Sequence, residues 1–144
     1  MNDLRRSSLV KPTLQTPFHI DFEWWTQHDS NWRVYLFSCL CPEHQNTFTN
    51  GDETTAIDWV DADTGRVKMV DGLRHVLMSH CSRQPEFLTV NTTLVDAVFR
   101  VLMASGNTPM SPLQLSEKAQ KPAETILRTL TAGQIYKGIR PFYG

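Results

Sequence analysis

Residues 111–142 read SPLQLSEKAQKPAETILRTLTAGQIYKGIRPF, and this stretch is the most informative about the fold. Ser111 followed by Pro112 is typical of a helix start, with serine as the N-cap and proline at the first helical position. Residues 120–122, Gln-Lys-Pro, then end this helix, because proline cannot continue a helix. The opening of the stretch therefore predicts a short helix that ends in a tight turn.

A second short helix is predicted from Ala123 to Thr131. Its apolar side chains recur at helical spacing and are Ile126, Leu127 and Leu130. Gly133 is expected to end this helix, since glycine readily adopts the left-handed conformation found after a helix C-terminus. The remaining residues, 134–143, read as an extended strand with a basic bend.

A longer helix is predicted just before this stretch, capped by Asn91 or Thr92 and closed by Gly106-Asn107. Its apolar face is wider than a single stripe and consists of Leu94, Val95, Val98, Phe99, Val101 and Leu102. A face of that width is typical of a helix at the centre of a core.

The order helix, short helix, tight turn, second short helix and strand resembles the winged helix-turn-helix family of DNA-binding domains. The resemblance rests on residues 111–142, with residues 93–105 supplying the preceding helix. It covers roughly the last third of the chain and implies that residues 91–144 form a winged-helix-like region. In that family the second helix of the motif enters the major groove, and flanking basic groups hold phosphates.

Carried over to this chain, the resemblance implies a surface for double-stranded DNA and a small transcriptional regulator. The implied contact residues are Lys118, Lys121, Thr125, Arg128, Thr129, Lys137 and Arg140. Arg128 would pair with a guanine, Thr125 or Thr129 would reach a base edge or phosphate, and the others would contact phosphates. The alternatives are a noncatalytic protein–protein interaction adaptor on the same scaffold and a different helical fold.

The rest of the chain predicts an α+β protein, in which residues 17–90 form a mixed region packed on the C-terminal one. Residues 1–16 are expected to be a flexible tail. Periodicity and turn signals predict a helix at 31–41, a β-hairpin at 56–70 and a helix at 72–82.

The segment that begins at Phe18 alternates apolar and polar residues, which indicates a strand, although a helix could also start here. Trp24 falls on the apolar side of that alternation, whereas Trp25 breaks it. We therefore expect Trp24 in the core and Trp25 exposed or in an interface.

Composition and charge indicate one ordinary globular unit. The chain has 144 residues, 40% of them hydrophobic and 20% charged, with a net charge of −1. Residues 111–144 contain five basic residues and two acidic ones, so the rest of the chain has a net negative charge. This acidic N-terminal region is a candidate surface for a protein partner or a homodimer. Without an apolar run long enough for a membrane span, the protein is expected to be cytoplasmic and to have no membrane partner.

The candidate metal ligands are Cys41, His44, His80 and Cys81, two thiols and two imidazoles that could form a tetrahedral zinc site. Cys39 and Cys81, however, fall on apolar helix stripes, where cysteine commonly acts as a small core residue. Adjacent His80 and Cys81 would also diverge by about 100° on a helix. We therefore expect no cofactor, with a structural zinc ion as the alternative.

Enzyme signatures are scarce in this sequence. It contains no G-x-G-x-x-G, no phosphate-binding glycine loop with Gly-Lys, no G-x-S-x-G and no H-E-x-x-H. A dyad of Cys41 and His44 is the one catalytic alternative, but no third group or oxyanion donor is indicated. The sequence therefore predicts a noncatalytic protein with no catalytic residues.

Overall fold

The computed structural model describes residues 11–47, 56–60 and 67–143, with the backbone alone for residues 47, 56–60 and 67–71. Its elements run in the order β1 (Phe18–Ile20), α1 (Phe22–His28), α2 (Trp32–Ser38), α3 (Pro42–Thr47), β2 (Ala56–Val60), β3 (Val67–Asp71), α4 (Gly72–Ser79), α5 (Leu94–Ala104), α6 (Pro112–Ala119), α7 (Ala123–Leu130) and β4 (Ile139–Pro141). Two 3-10 helices, Cys81–Arg83 and Pro85–Phe87, lie between α4 and α5. The predicted α+β class is confirmed.

Two small antiparallel sheets are present among the described residues. β2 and β3 form the hairpin predicted at 56–70, with Ala56 opposite Asp71. β1 pairs instead with β4 at the other end of the chain, and Phe18 also forms a β-bridge with Met110. The N-terminal strand therefore lies between two segments of the C-terminal region.

Two predicted helices are shorter than expected. The helix predicted at 31–41 ends at Ser38, and a separate helix, α3, starts at Pro42. Proline disfavours helical conformation in the residue before it, so Pro42 starts a new helix rather than extending the old one. The helix predicted at 72–82 ends at Ser79, because His80 has φ −127° and leaves the helical conformation.

The core contains buried residues from both halves of the chain. α5 supplies six of them, among them Phe99, as its wide apolar face predicts. The ring of Trp25 lies 5.4 Å from that of Phe99. Our prediction for the tryptophans is wrong, since Trp25 is 1% exposed while Trp24 is only half-buried. The Asp21 side chain caps α1 there, so helical rather than alternating spacing decides which tryptophan points inward.

The segment after α7 is extended only at β4, not throughout residues 134–143. Lys137 and Gly138 both have positive φ, 53° and 73°, and the N–H of Ile139 donates to the carbonyl of Tyr136 at 2.9 Å. Positive φ at both central residues is the signature of a type I′ turn. A Cβ at Gly138 would lie 2.6 Å from the Cβ of Trp25, so glycine also permits close approach to α1.

The predicted tail at residues 1–16 lies mostly outside the described residues. In its described part, the N–H of Thr16 donates to the carbonyl of Thr13 at 3.1 Å, and the N–H of Leu113 donates to that of Leu14 at 3.4 Å. Among the helices of the described chain, none has the length and apolar character needed to cross a membrane.

Candidate metal centre and candidate nucleic-acid surface

The structure brings together the four candidate ligands from two separate parts of the chain. Cys41 lies immediately before α3, and its carbonyl accepts the N–H of His44 at 3.0 Å. This first helical turn places the imidazole of His44 beside the thiol of Cys41. His80 and Cys81 come from the segment that follows α4. The ligand atoms of all four residues lie within 4.8 Å of one another.

Three short distances centre on the thiol of Cys41. Its Sγ lies 3.2 Å from Nδ1 of His44, 3.7 Å from Nδ1 of His80 and 3.5 Å from Sγ of Cys81. Cys81 Sγ lies 3.7 Å from Nδ1 of His44. The two thiols and two imidazole nitrogens thus surround one small volume, and such a donor set suits zinc.

The end of α4 explains why His80 and Cys81 point to the same place. We expected these neighbours to diverge because we assigned both to a helix. His80 instead has φ −127° and ψ −59°, and Cys81 begins a 3-10 helix. The change in backbone direction after Ser79 removes the helical divergence, so the geometric objection to joint ligation does not hold.

Burial differs across this Cys/His cluster. Cys81 is fully buried, whereas the side chain of His80 is 43% exposed. Burial, together with the neighbouring Cys41 side chain, raises the pKa of the Cys81 thiol to about 12, although main-chain hydrogen bonds oppose this shift. The buried thiol therefore stays protonated at neutral pH unless a cation compensates for its negative charge. The exposed imidazole gives an ion access from solvent.

Sequence reasoning missed a carboxylate beside the cluster. Oε2 of Glu43 lies 3.9 Å from Nε2 of His80, while Nδ1 of the same ring faces the thiol of Cys41. The signal was its position between Cys41 and His44 in the sequence. An acidic group on the outer nitrogen of a histidine is the usual second partner of a metal-bound imidazole.

The residues implied for DNA contact fall into two groups. The first group belongs to α6, α7 and the turn between them, where Lys118 and Arg128 are exposed and the others are partly exposed: Lys121, Thr125 and Thr129. Local hydrogen bonds form this unit. The Ser111 side chain caps α6 in a capping box with Gln114, and Gln120 ends α6 with φ 57°.

The second group, Lys137 and Arg140, contacts the N-terminal region. Nζ of Lys137 lies 4.3 Å from the ring centre of Tyr35. Arg140 forms an ion pair with Asp21 at 3.2 Å, and its guanidinium lies 5.4 Å from the ring centre of Trp24. These contacts give both cations a role inside the protein that the sequence pattern did not indicate.

Searches against models of known protein families, curated proteins and solved structures find no match for this chain.

Proposed function

We propose that this protein is a noncatalytic DNA-binding protein that contacts double-stranded DNA through the α6–α7 unit, in the manner of a small transcriptional regulator. The observation that carries the proposal is the outward face of α7. Ile126 and Leu130 are buried on its inner side, while Arg128 is exposed and Thr125 partly exposed on the other. Helices of this kind read base edges in the major groove.

The surroundings of α7 support the same proposal. α5, α6 and α7 follow one another in the order of a helix-turn-helix domain. Lys118 on α6 and the partly exposed Lys121 in the turn add positive charge to the same helix-turn-helix unit as Arg128, and such groups hold phosphates in DNA-binding domains. A strand, β4, follows α7, as in a winged helix. Its partner strand is β1, which comes from the N-terminal end of the chain.

The ion pair of Arg140 and the ring contact of Lys137 reduce the number of residues that we propose to contact DNA. We assign the DNA contacts to Lys118, Lys121, Thr125, Arg128 and Thr129. Lys137 lies just before β4 and contacts the ring of Tyr35, and Arg140 lies within β4 and pairs with Asp21. Both residues therefore hold the C-terminal segment against the N-terminal region.

The test is fluorescence anisotropy of labelled random-sequence duplex DNA at two salt concentrations. Lys121→Gln/Arg128→Gln is expected to weaken binding about tenfold at low salt and to reduce the salt slope by about 1 for each phosphate that is no longer neutralised. Lys11→Gln/Arg83→Gln removes the same charge from exposed positions elsewhere and is the matched control. No binding at low salt, or equally weakened binding in both double variants, would overturn the proposal.

A second candidate is a protein–protein interaction adaptor on the same scaffold. Two apolar side chains near the ends of the unit favour it, since Leu113 is 44% exposed and Ile135 is 39% exposed. Glu117 and Glu124 are also exposed and would lie close to phosphates on bound DNA. Binding of a protein partner that Leu113→Ser/Ile135→Ser abolishes, together with no DNA binding, would favour this candidate.

The acidic N-terminal region is proposed as the surface for a homodimer or a protein partner. A dimer would present two α7 helices to half-sites about 34–36 Å apart. Sedimentation of the protein with and without duplex DNA would give its stoichiometry, and a monomer at every concentration would refute the dimer.

A further inference from the structure

We propose that Cys41, His44, His80 and Cys81 bind one Zn²⁺ ion in a closed structural site. Zinc combines thiolate and imidazole ligands in tetrahedral sites, and a set of two cysteines and two histidines is a common structural form. Softer thiolates also favour zinc over magnesium or calcium, which prefer oxygen ligands. The inference is independent of the proposed DNA binding.

The distances between ligand atoms fit a single tetrahedral ion. Zinc bonds of about 2.3 Å to sulfur and 2.0–2.1 Å to nitrogen place two sulfurs about 3.8 Å apart and a sulfur and a nitrogen about 3.5 Å apart. The two sulfurs lie 3.5 Å apart. Three of the four sulfur–nitrogen pairs measure 3.2, 3.7 and 3.7 Å. These four distances are close to tetrahedral spacing, and all four ligand atoms lie within 4.8 Å of one another, so side-chain adjustment at the two remaining pairs would complete the site.

The surrounding groups suit ligation by Nδ1 of His80. With that nitrogen facing the thiols, Nε2 carries the proton and points towards Glu43, whose Oε2 lies 3.9 Å away. A carboxylate that accepts a hydrogen bond from this N–H fixes the ring orientation and strengthens the ligand, and rotation of the exposed Glu43 side chain would bring it within hydrogen-bond distance.

The fold gives the ion a structural rather than a catalytic role. Four protein ligands fill a tetrahedral site and leave no position for water or substrate, unlike the open position of catalytic zinc. The ion would join α3 to the segment after α4 and so close the loop that contains the β2–β3 hairpin. Because the four ligands meet only in the folded chain, the free energy of metal binding adds to the free energy of folding, so the ion stabilises the fold.

The test uses the full chain, purified under reducing conditions, stripped with a chelator and titrated with Zn²⁺ and then Co²⁺. One Zn²⁺ per chain is expected, and Co²⁺ should give intense tetrahedral ligand-field bands with thiolate-to-cobalt charge transfer. Weak bands typical of oxygen-ligated Co²⁺, or no stoichiometric zinc, would overturn the proposal.

Variants identify the ligands. Cys81→Ala should lower zinc affinity by more than about 100-fold, since even loss of an outer partner costs about 10–100-fold. Cys39→Ala is the matched control, because Cys39 is also a buried free cysteine but lies outside the group of four ligands. His80→Ala alters a half-exposed side chain and keeps the test valid if Cys81→Ala does not fold. Equal affinity in the ligand and control variants would refute the site.

Alkylation with iodoacetamide separates zinc binding from the Cys41–His44 dyad. In the zinc site, Zn²⁺ should protect both Cys41 and Cys81 from labelling, and chelation should restore it. Rapid labelling of Cys41 alone, unchanged by zinc, would show an activated nucleophile and overturn the proposal.

Discussion

The Cys/His cluster and the α6–α7 unit are built in opposite ways. The α6–α7 unit is continuous in sequence, and its helix starts and turn can be recognised from Ser111 and Pro122. The cluster joins two segments, one at Cys41 and one at Cys81, and exists only when α3 and the end of α4 meet. A local unit can be predicted without a tertiary fold, whereas a site assembled from distant segments depends on the backbone direction at each of them.

The largest expected effect is the loss of thermal stability when metal is removed from the Cys/His cluster. A ligand at about 1,000 times its Kd stabilises the folded state by about 4 kcal/mol, so chelation should lower Tm by roughly 10 °C. Differential scanning calorimetry with and without excess chelator measures this difference. Lys121→Gln/Arg128→Gln should shift Tm by the same amount on chelation as wild type does, because its substitutions lie outside the cluster.

The second prediction concerns the turn that fixes the C-terminal segment against α1. Gly138→Ala should destabilise the protein by about 2–4 kcal/mol, because the new Cβ combines positive φ with a clash against Trp25. Gly106→Ala also has positive φ but has no atom within 4 Å, so its cost should be about 1 kcal/mol. Urea unfolding measures both, and equal costs would contradict the close approach.

The third prediction separates the two groups of basic residues. Lys137→Gln/Arg140→Gln should leave DNA affinity within about twofold, against about tenfold for Lys121→Gln/Arg128→Gln. Its unfolding free energy should fall by at most about 1 kcal/mol for the half-exposed Arg140–Asp21 ion pair. Anisotropy and urea unfolding on the same samples test both parts. A tenfold decrease in affinity with unchanged stability would return these residues to the DNA surface.

The smallest expected effect is a pH dependence at β1, which joins the two regions. Burial lowers the pKa of His19 below its ordinary value of 6.5; Asp21 opposes this shift and Arg140 adds to it. Protonation therefore favours the unfolded chain, so this contribution to stability should be lost as pH falls below 6.5. His19→Gln cannot titrate, and its unfolding free energy should fall less than that of wild type between about pH 7.5 and about pH 5.5. Parallel pH profiles would contradict the assignment.

Much of the C-terminal fold could be predicted because its signals are local. Ser111 caps α6 through its own side chain, and apolar spacing defines the buried face of α7. Trp25 was not predictable in the same way. β1 has only three residues, and α1 begins after Asp21. Extending the alternating pattern of the strand into this helix therefore predicts the wrong tryptophan as buried.

The candidate sites show the same division. The four metal-ligand candidates could be chosen from residue type, because thiols and imidazoles are the usual zinc ligands. Their meeting could not be predicted, since it depends on the break at Pro42 and on the non-helical φ of His80. The exposed position of Arg128 followed from helical spacing, but the partner of Arg140, Asp21, lies at the other end of the chain.

The sequence by itself determined the α+β class, the β2–β3 hairpin and the succession of α5, α6 and α7, because caps, turns and periodicity act over a few neighbouring residues. Only the tertiary structure decided the pairing of β1 with β4 and the assembly of the Cys/His cluster. Both join residues far apart in the chain, and burial of a shared core, rather than any local preference, sets their relative positions.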